Sequence, residues 1–94
     1  MKLWVDDIRR PPSTTWSWAS SSASAIEILS SAQVMELSLD HDLGGSDTTR
    51  PVVLWLCEHV IHWPPSVRVH TAEPIGRSWL LGMIYRHSPH LRMV

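Results

Sequence analysis

Cysteine is nearly absent: Cys57 stands alone in a chain of 94 residues. A single thiol permits neither an intramolecular disulfide nor a thiolate zinc cluster within the chain, which fits a reducing compartment. An excess of one charge is missing as well. With a formal net charge of −1 there is no broad basic field for duplex DNA or an anionic membrane, so neither is expected as a partner. No stretch approaches the ~18 to 20 apolar residues of a membrane span. The apolar start is broken at once by Asp6 and Asp7, which argues against a signal peptide, and the expected location is cytoplasmic. G-x-S-x-G, Walker and G-x-G-x-x-G patterns are all missing, so the usual acyl-transfer, P-loop and dinucleotide signatures do not apply.

What is there describes an ordinary globular protein: 44% hydrophobic residues, 18% charged residues and six Trp. The length predicts a single domain over 1–94, near the lower end at which one core suffices. Residues 2–6 read as a strand, stopped by Arg9-Arg10-Pro11-Pro12. Thr14 to Ala19 reads as a short strand with Trp16 and Trp18 on one face. How it joins the sheet is left open, because a parallel crossover normally takes about a dozen residues or more.

Ser24-Ala25-Ile26-Glu27 has capping-box spacing before a helix with Ile26, Leu29 and Ala32 on one side, fraying at Ser30 and Ser31. Val34 to Leu39 reads as the central strand. Thr49 and Pro51 open a helix with a stripe of Val52, Val53, Leu56, Val60 and Trp63, ending before Pro64-Pro65. Val67 to Thr71 is the next strand. Pro74 starts a last helix with Ile75, Trp79, Leu80, Met83, Ile84 and His87 recurring at helical spacing, in which Gly82 would mark close packing. Leu91 to Val94 reads as a tail or a strand stub. Trp4, Trp55, Trp63 and Trp79 are expected in the core and Cys57 as a small apolar filler. His59 and His62 are expected as surface residues.

Strands and helices in alternation predict a mainly parallel sheet, and ligands bind such sheets at the C-terminal strand edge. Three strands end there in polar chemistry: Asp6-Asp7, Asp40-His41-Asp42 and His70-Thr71. Clustered carboxylates suit a hard divalent cation such as Mg²⁺. Two imidazoles, His41 and His70, suit general acid and base work on a phosphodiester. Thr71, or the backbone amides after Pro74, would serve phosphate oxygens, with Arg9 and Asp42 as further candidate substrate contacts. Alternation along a strand sends Asp40 and Asp42 to one side and His41 to the other unless the strand has already turned. A metal with histidine nearby and two separate faces both stay open.

Val5-Asp6-Asp7, Leu37-Ser38-Leu39-Asp40 and Val69-His70-Thr71-Ala72 resemble the first, third and fourth strand ends of response-regulator receiver domains. More closely, V-D-D-I-R-x-P-P, S-L-D-H-D-L-G and V-H-T-A-E-P-I-G are similar to the cyclic-phosphate-processing receiver-like family. The resemblance implies an α/β fold, a minimal receiver-like (flavodoxin-like), mainly parallel sheet of three to four strands with helices packed on it. It implies Asp6, Asp7 and Asp40 as metal-side carboxylates for Mg²⁺, Thr71 as a phosphate contact, and His41 and His70 as additions peculiar to the variant. Two departures from an ordinary receiver argue against phosphorelay signalling: no room for a helix between Asp7 and Trp16, and no fifth strand ending in lysine.

The expected activity is therefore a phosphoesterase opening a cyclic phosphodiester, with His41, His70, Asp40 and Thr71 catalytic. Its substrate would be a 2′,3′-cyclic phosphate at an RNA end or a cyclic nucleotide signal. A signal nucleotide would make the protein an antagonist of such a pathway, including one used in antiviral defence. The rival expectations are a non-catalytic nucleotide binder that stacks its ligand on Trp16 or Trp18, and a degenerate receiver phosphorylated on Asp40. A homodimer is a further expectation for so small a domain.

Overall fold

The computed structural model describes residues 1–90; the expectation for Leu91 to Val94 lies outside them. Four short strands, β1 (Lys2–Val5), β2 (Trp16–Ala19), β3 (Glu36–Leu39) and β4 (Ser66–Val69), form an all-parallel sheet in the order β2-β1-β3-β4. Three helices connect or follow them: α1 (Ser22–Ser31), α2 (Arg50–Glu58) and α3 (Pro74–His87). This is the compact α/β receiver-like fold implied by the sequence.

Chain direction explains the layering. From β2 to β3 and on to β4 the chain moves one way across the sheet, and right-handed crossovers then put α1 and α2 on the same face. From β1 to β2 it moves the opposite way, so that connection belongs to the other face. Residues 6–15 make it without a helix, shorter than a normal parallel crossover. The Trp4 indole, alternating with inward-facing Leu3 and Val5, donates to the Arg9 carbonyl at 2.9 Å and ties this loop to the second face. The way β2 joins the sheet, left open by the sequence, is thus direct parallel pairing with β1.

One face therefore carries the core. Leu3, Val5, Leu37 and Leu39 from the sheet pack with Ala25 and Leu29 of α1, Val52, Val53 and Leu56 of α2, and Leu80 and Ile84 of α3. Burial of each such leucine contributes about 1.5–3 kcal/mol. The other face presents Lys2, Trp4, Trp16, Trp18, Glu36, Ser38, Ser66 and Arg68, and among the described residues no helix covers it.

Several local expectations are corrected. The α1 cap is Ser21, whose hydroxyl accepts from the Ser24 amide, and not the Ser24–Glu27 pair. Asp47 selects that register by accepting from the Ser22 amide at 2.9 Å and its hydroxyl at 2.6 Å. Ser30 and Ser31 stay helical, their hydroxyls donating back to the Glu27 carbonyl. Helix α2 ends at Glu58, before a single 3-10 turn at Val60–His62, which leaves Val60 exposed while Trp63 is buried beyond it. Ile75, expected on the buried stripe of α3, is 75% exposed because the first turn of that helix overhangs the sheet edge. Trp55 and Trp79 are only partly buried, and Trp4 lies on the helix-free face.

Close packing in α3 belongs to Gly76 and not to Gly82. A Cβ on Gly76 would lie 2.3 Å from the His41 ring, whereas one on Gly82 would meet nothing within 4 Å. Gly76→Ala is therefore expected to cost about 1–3 kcal/mol through overpacking, and Gly82→Ala to stabilise by up to about 1 kcal/mol through helix propensity. Urea unfolding of the two variants checks this pair of opposite signs.

Candidate functional site

The parallel ladder continues one rung past three strands. Asp6 donates its amide to Ala19 (3.1 Å), Asp40 to Val5 (2.9 Å) and His70 to Leu39 (2.9 Å). Three chemistry-bearing residues are thereby held at one level on the C-terminal edge of the sheet.

Asp6 is 1% exposed and densely held. Its Oδ1 accepts from the Ile8 and Arg9 amides, each at 2.9 Å, and its Oδ2 faces His70 Nε2 at 3.0 Å. Burial pushes the Asp6 carboxyl up, but these amides and His70 outweigh it and hold the group below the ordinary carboxylate range. Asp6, Asp7 and Asp40 each offer an oxygen, all within 4.8 Å of one another. Gly44, at φ +86°, lets the next loop pass close to the Asp7 carboxylate, 3.1 Å from where a Cβ would sit. Three hard oxygen donors at this spacing fit a Mg²⁺-type cation.

His70 is held on three sides. Its Nδ1 lies 2.8 Å from the Ser38 hydroxyl, its Nε2 faces Asp6, and its ring stacks on Trp4 with centroids 3.8 Å apart and planes 6° from parallel. In the neutral ring, Nε2–H donates to Asp6 and the Ser38 hydroxyl donates to Nδ1. Desolvation lowers the His70 pKa, against the pull of Asp6 and Asp40. Arg9 reaches the His70 carbonyl with a guanidinium nitrogen at 3.4 Å.

A family model for the cyclic-phosphate processing receiver domain matches residues 1–86. The chain belongs to that family. No curated protein and no solved structure matches it. In this cyclic-phosphate processing receiver domain the acidic cluster stands at the receiver position, while the single lysine, Lys2, pairs with Glu36 at 3.5 Å in the first rung of the sheet, at the opposite end of the strands.

The other expected residues go elsewhere. Alternation carries His41 to the helix side, where its Nδ1–H donates to Asp42 (2.9 Å), its Nε2 accepts from Arg50 Nε (3.0 Å), and its ring lies under Gly76. His41 and His70 share no hydrogen-bond partner among the described residues. Asp42 is outside the carboxylate cluster. Thr71 is 7% exposed and accepts from the Glu73 amide, with its hydroxyl proton left to donate. The amides after Pro74 are not open to phosphate, because the Glu73 carboxylate accepts from Ile75 and Gly76. His59 and His62 lie beyond α2, packed against Trp55.

Sequence reasoning did not single out Ser38, Trp4 or Arg50. The first two were within reach: Trp4 and Asp6, like Ser38 and Asp40, are two residues apart and so share a face of the sheet. Arg50, stacked over Trp79 at 4.8 Å, had no such signal.

The lowered pKa values of both His70 and Asp6 fix the sign of the pH dependence. The unfolded His binds its proton at about pH 6.5 and the folded one only at lower pH. Stability in EDTA is therefore expected to be level above that value and to fall as the pH drops below it, with a second loss as Asp6 protonates below the ordinary Asp pKa of ~3.9. Melting temperatures from pH 8 to pH 3 check this. The upper limb should vanish in His70→Gln, and a rise in stability on acidification through it would contradict the assignment.

Proposed function

We propose that the protein hydrolyses a cyclic phosphodiester at the Asp6–Asp7–Asp40 edge, with His70 as proton carrier. One observation carries this reading: an imidazole fixed between the buried member of a carboxylate cluster and a hydroxyl, with its ring face held by Trp4. General acid–base catalysis needs a titratable group in a set orientation, and the imidazole of His70 is oriented by Asp6, Ser38 and Trp4.

In the reaction a water oxygen bonds to phosphorus, one ring P–O bond breaks, and an acyclic phosphomonoester forms. The water proton passes to the Asp6–His70 pair. His70 then gives a proton to the departing ring oxygen, and Ser38 keeps the imidazole in register throughout. Arg9 supplies positive charge above His70 to the phosphate, and Thr71 has a hydroxyl proton to donate to it. Asp6, Asp7 and Asp40 would hold Mg²⁺, which supplies charge neutralisation at a phosphoryl oxygen. His41 is assigned a positioning role, since its ring lies under Gly76 on the helix side and bonds to Asp42 and Arg50, neither of them a member of the carboxylate cluster. The phosphoacceptor alternative is disfavoured because the lone lysine lies at the far end of the sheet.

The test is chromatography of 2′,3′-cyclic mononucleotides, 3′,5′-cyclic mononucleotides and cyclic dinucleotides after incubation with the protein, with Mg²⁺ or with EDTA. A ring-opened product is expected for at least one class, reduced about 10²-fold or more in His70→Gln. Glutamine can still donate to Asp6 and accept from Ser38, so a loss reports proton transfer and not unfolding. Recovery of every compound intact would overturn the reading.

A further inference from the structure

Beside the Asp6–His70 edge, on the same helix-free face, lies a cavity of about 330 Å³ lined by Arg10, Pro11, Ser13, Thr14, Trp16 and Trp18. The phosphate chemistry proposed above does not use it. Its walls are nonetheless built into that site. The Trp18 indole donates to the Asp6 carbonyl at 2.6 Å, and Trp16 meets Trp4 edge-on at 5.8 Å while Trp4 backs His70. Successive residues of one loop straddle the boundary, with Arg9 at His70 and Arg10 in the cavity.

We propose that this cavity is a nucleobase subsite. The base stacks on the indoles of Trp16 and Trp18, Arg10, Ser13 and Thr14 meet its polar edges, and the cyclic phosphate reaches the carboxylate edge. The inference rests on the phosphoester reading and narrows its substrate to a nucleoside cyclic phosphate, excluding base-free rings. The chemistry of the lining selects this occupant. Planar aromatic faces bind any base by stacking, and a guanidinium and hydroxyls suit its hydrogen-bonding rim. Trp18 remains 43% exposed and open to such a ligand.

The β1–β2 connection accounts for the exposure. A helical crossover would cover this face, whereas the helix-free connection of residues 6–15 leaves Trp18 exposed and Trp16 partly exposed.

The experiment uses adenosine, which has a base and no phosphate, 2′,3′-cyclic AMP, and base-free glycerol 1,2-cyclic phosphate, all titrated in EDTA and read by calorimetry and by the indole N–H resonances. Adenosine and 2′,3′-cyclic AMP should bind and shift the Trp16 and Trp18 signals. Trp16→Ala should weaken both roughly 5- to 150-fold, the range of one base–aromatic stack, with Trp16→Phe recovering most of the loss. Thr14→Trp, which fills the cavity from its exposed rim, should block adenosine without touching the core. Failure of adenosine to bind, or binding indifferent to all three substitutions, overturns the subsite. Opening of glycerol cyclic phosphate in the chromatography with Mg²⁺ described above, without adenosine binding, would sink the subsite and leave the esterase standing. Adenosine binding at Trp16 with no ring opened would do the reverse.

Discussion

A carboxylate removed from water must be satisfied where it lies, and Asp6 is the group on which this site depends. An isolated buried charge would cost several kcal/mol even after relaxation. Two backbone amides and an imidazole offset that cost. Each of these partners is then fixed in turn. The amides hold the start of the β1–β2 loop, which brings Arg9 to the His70 carbonyl. The imidazole needs Ser38 and Trp4 to keep its plane. Through its own carbonyl Asp6 also holds Trp18. The site, the loop and the aromatic row on the open face are consequences of satisfying one acid.

The second constraint is topological. In a sheet of this strand order the β1–β2 connection is the only described one that runs against the others, so it alone belongs to the second face. Where that connection is a loop, the face loses its helical cover and must be made tolerable to solvent. The sequence does this with Lys2, Glu36, Ser66 and Arg68, and with indoles whose N–H groups find carbonyls. A domain with one core face in this way leaves its second face without a helix among the described residues.

Much of this was legible beforehand, because the signals involved are local. Apolar runs ending in Asp6, Asp40 and His70 placed the strands and the polar residues at their C-terminal edge, and the prolines at 51 and 74 marked the helix starts. What failed was what local sequence cannot carry. Any of several serines fits the α1 cap, and the choice among them was made by Asp47, 25 residues away from Ser22. The glycine that matters in α3 is chosen by the ring it faces, a contact between segments distant in sequence. Helical spacing kept Val60 and Ile75 on apolar stripes although each stripe outran the surface available to cover it.

The two histidines show how a period-two rule decides chemistry. Both follow a strand of the sheet, and composition alone makes them look like a pair. His70 comes two residues after Arg68 and shares its open face, while His41 comes two residues after Leu39 and follows it toward the helices. There α2 contributes Arg50 and α3 contributes the bare backbone of Gly76, and both ring nitrogens are engaged. One imidazole is thus left beside the carboxylates, and the other joins the loop after β3 to two helices. A one-residue slip of β3 would turn His41 to the open face, because every side chain on that strand would change faces. The β3 register set by Leu37 and Leu39 in the core is therefore also what keeps His41 on the opposite face of the sheet from His70.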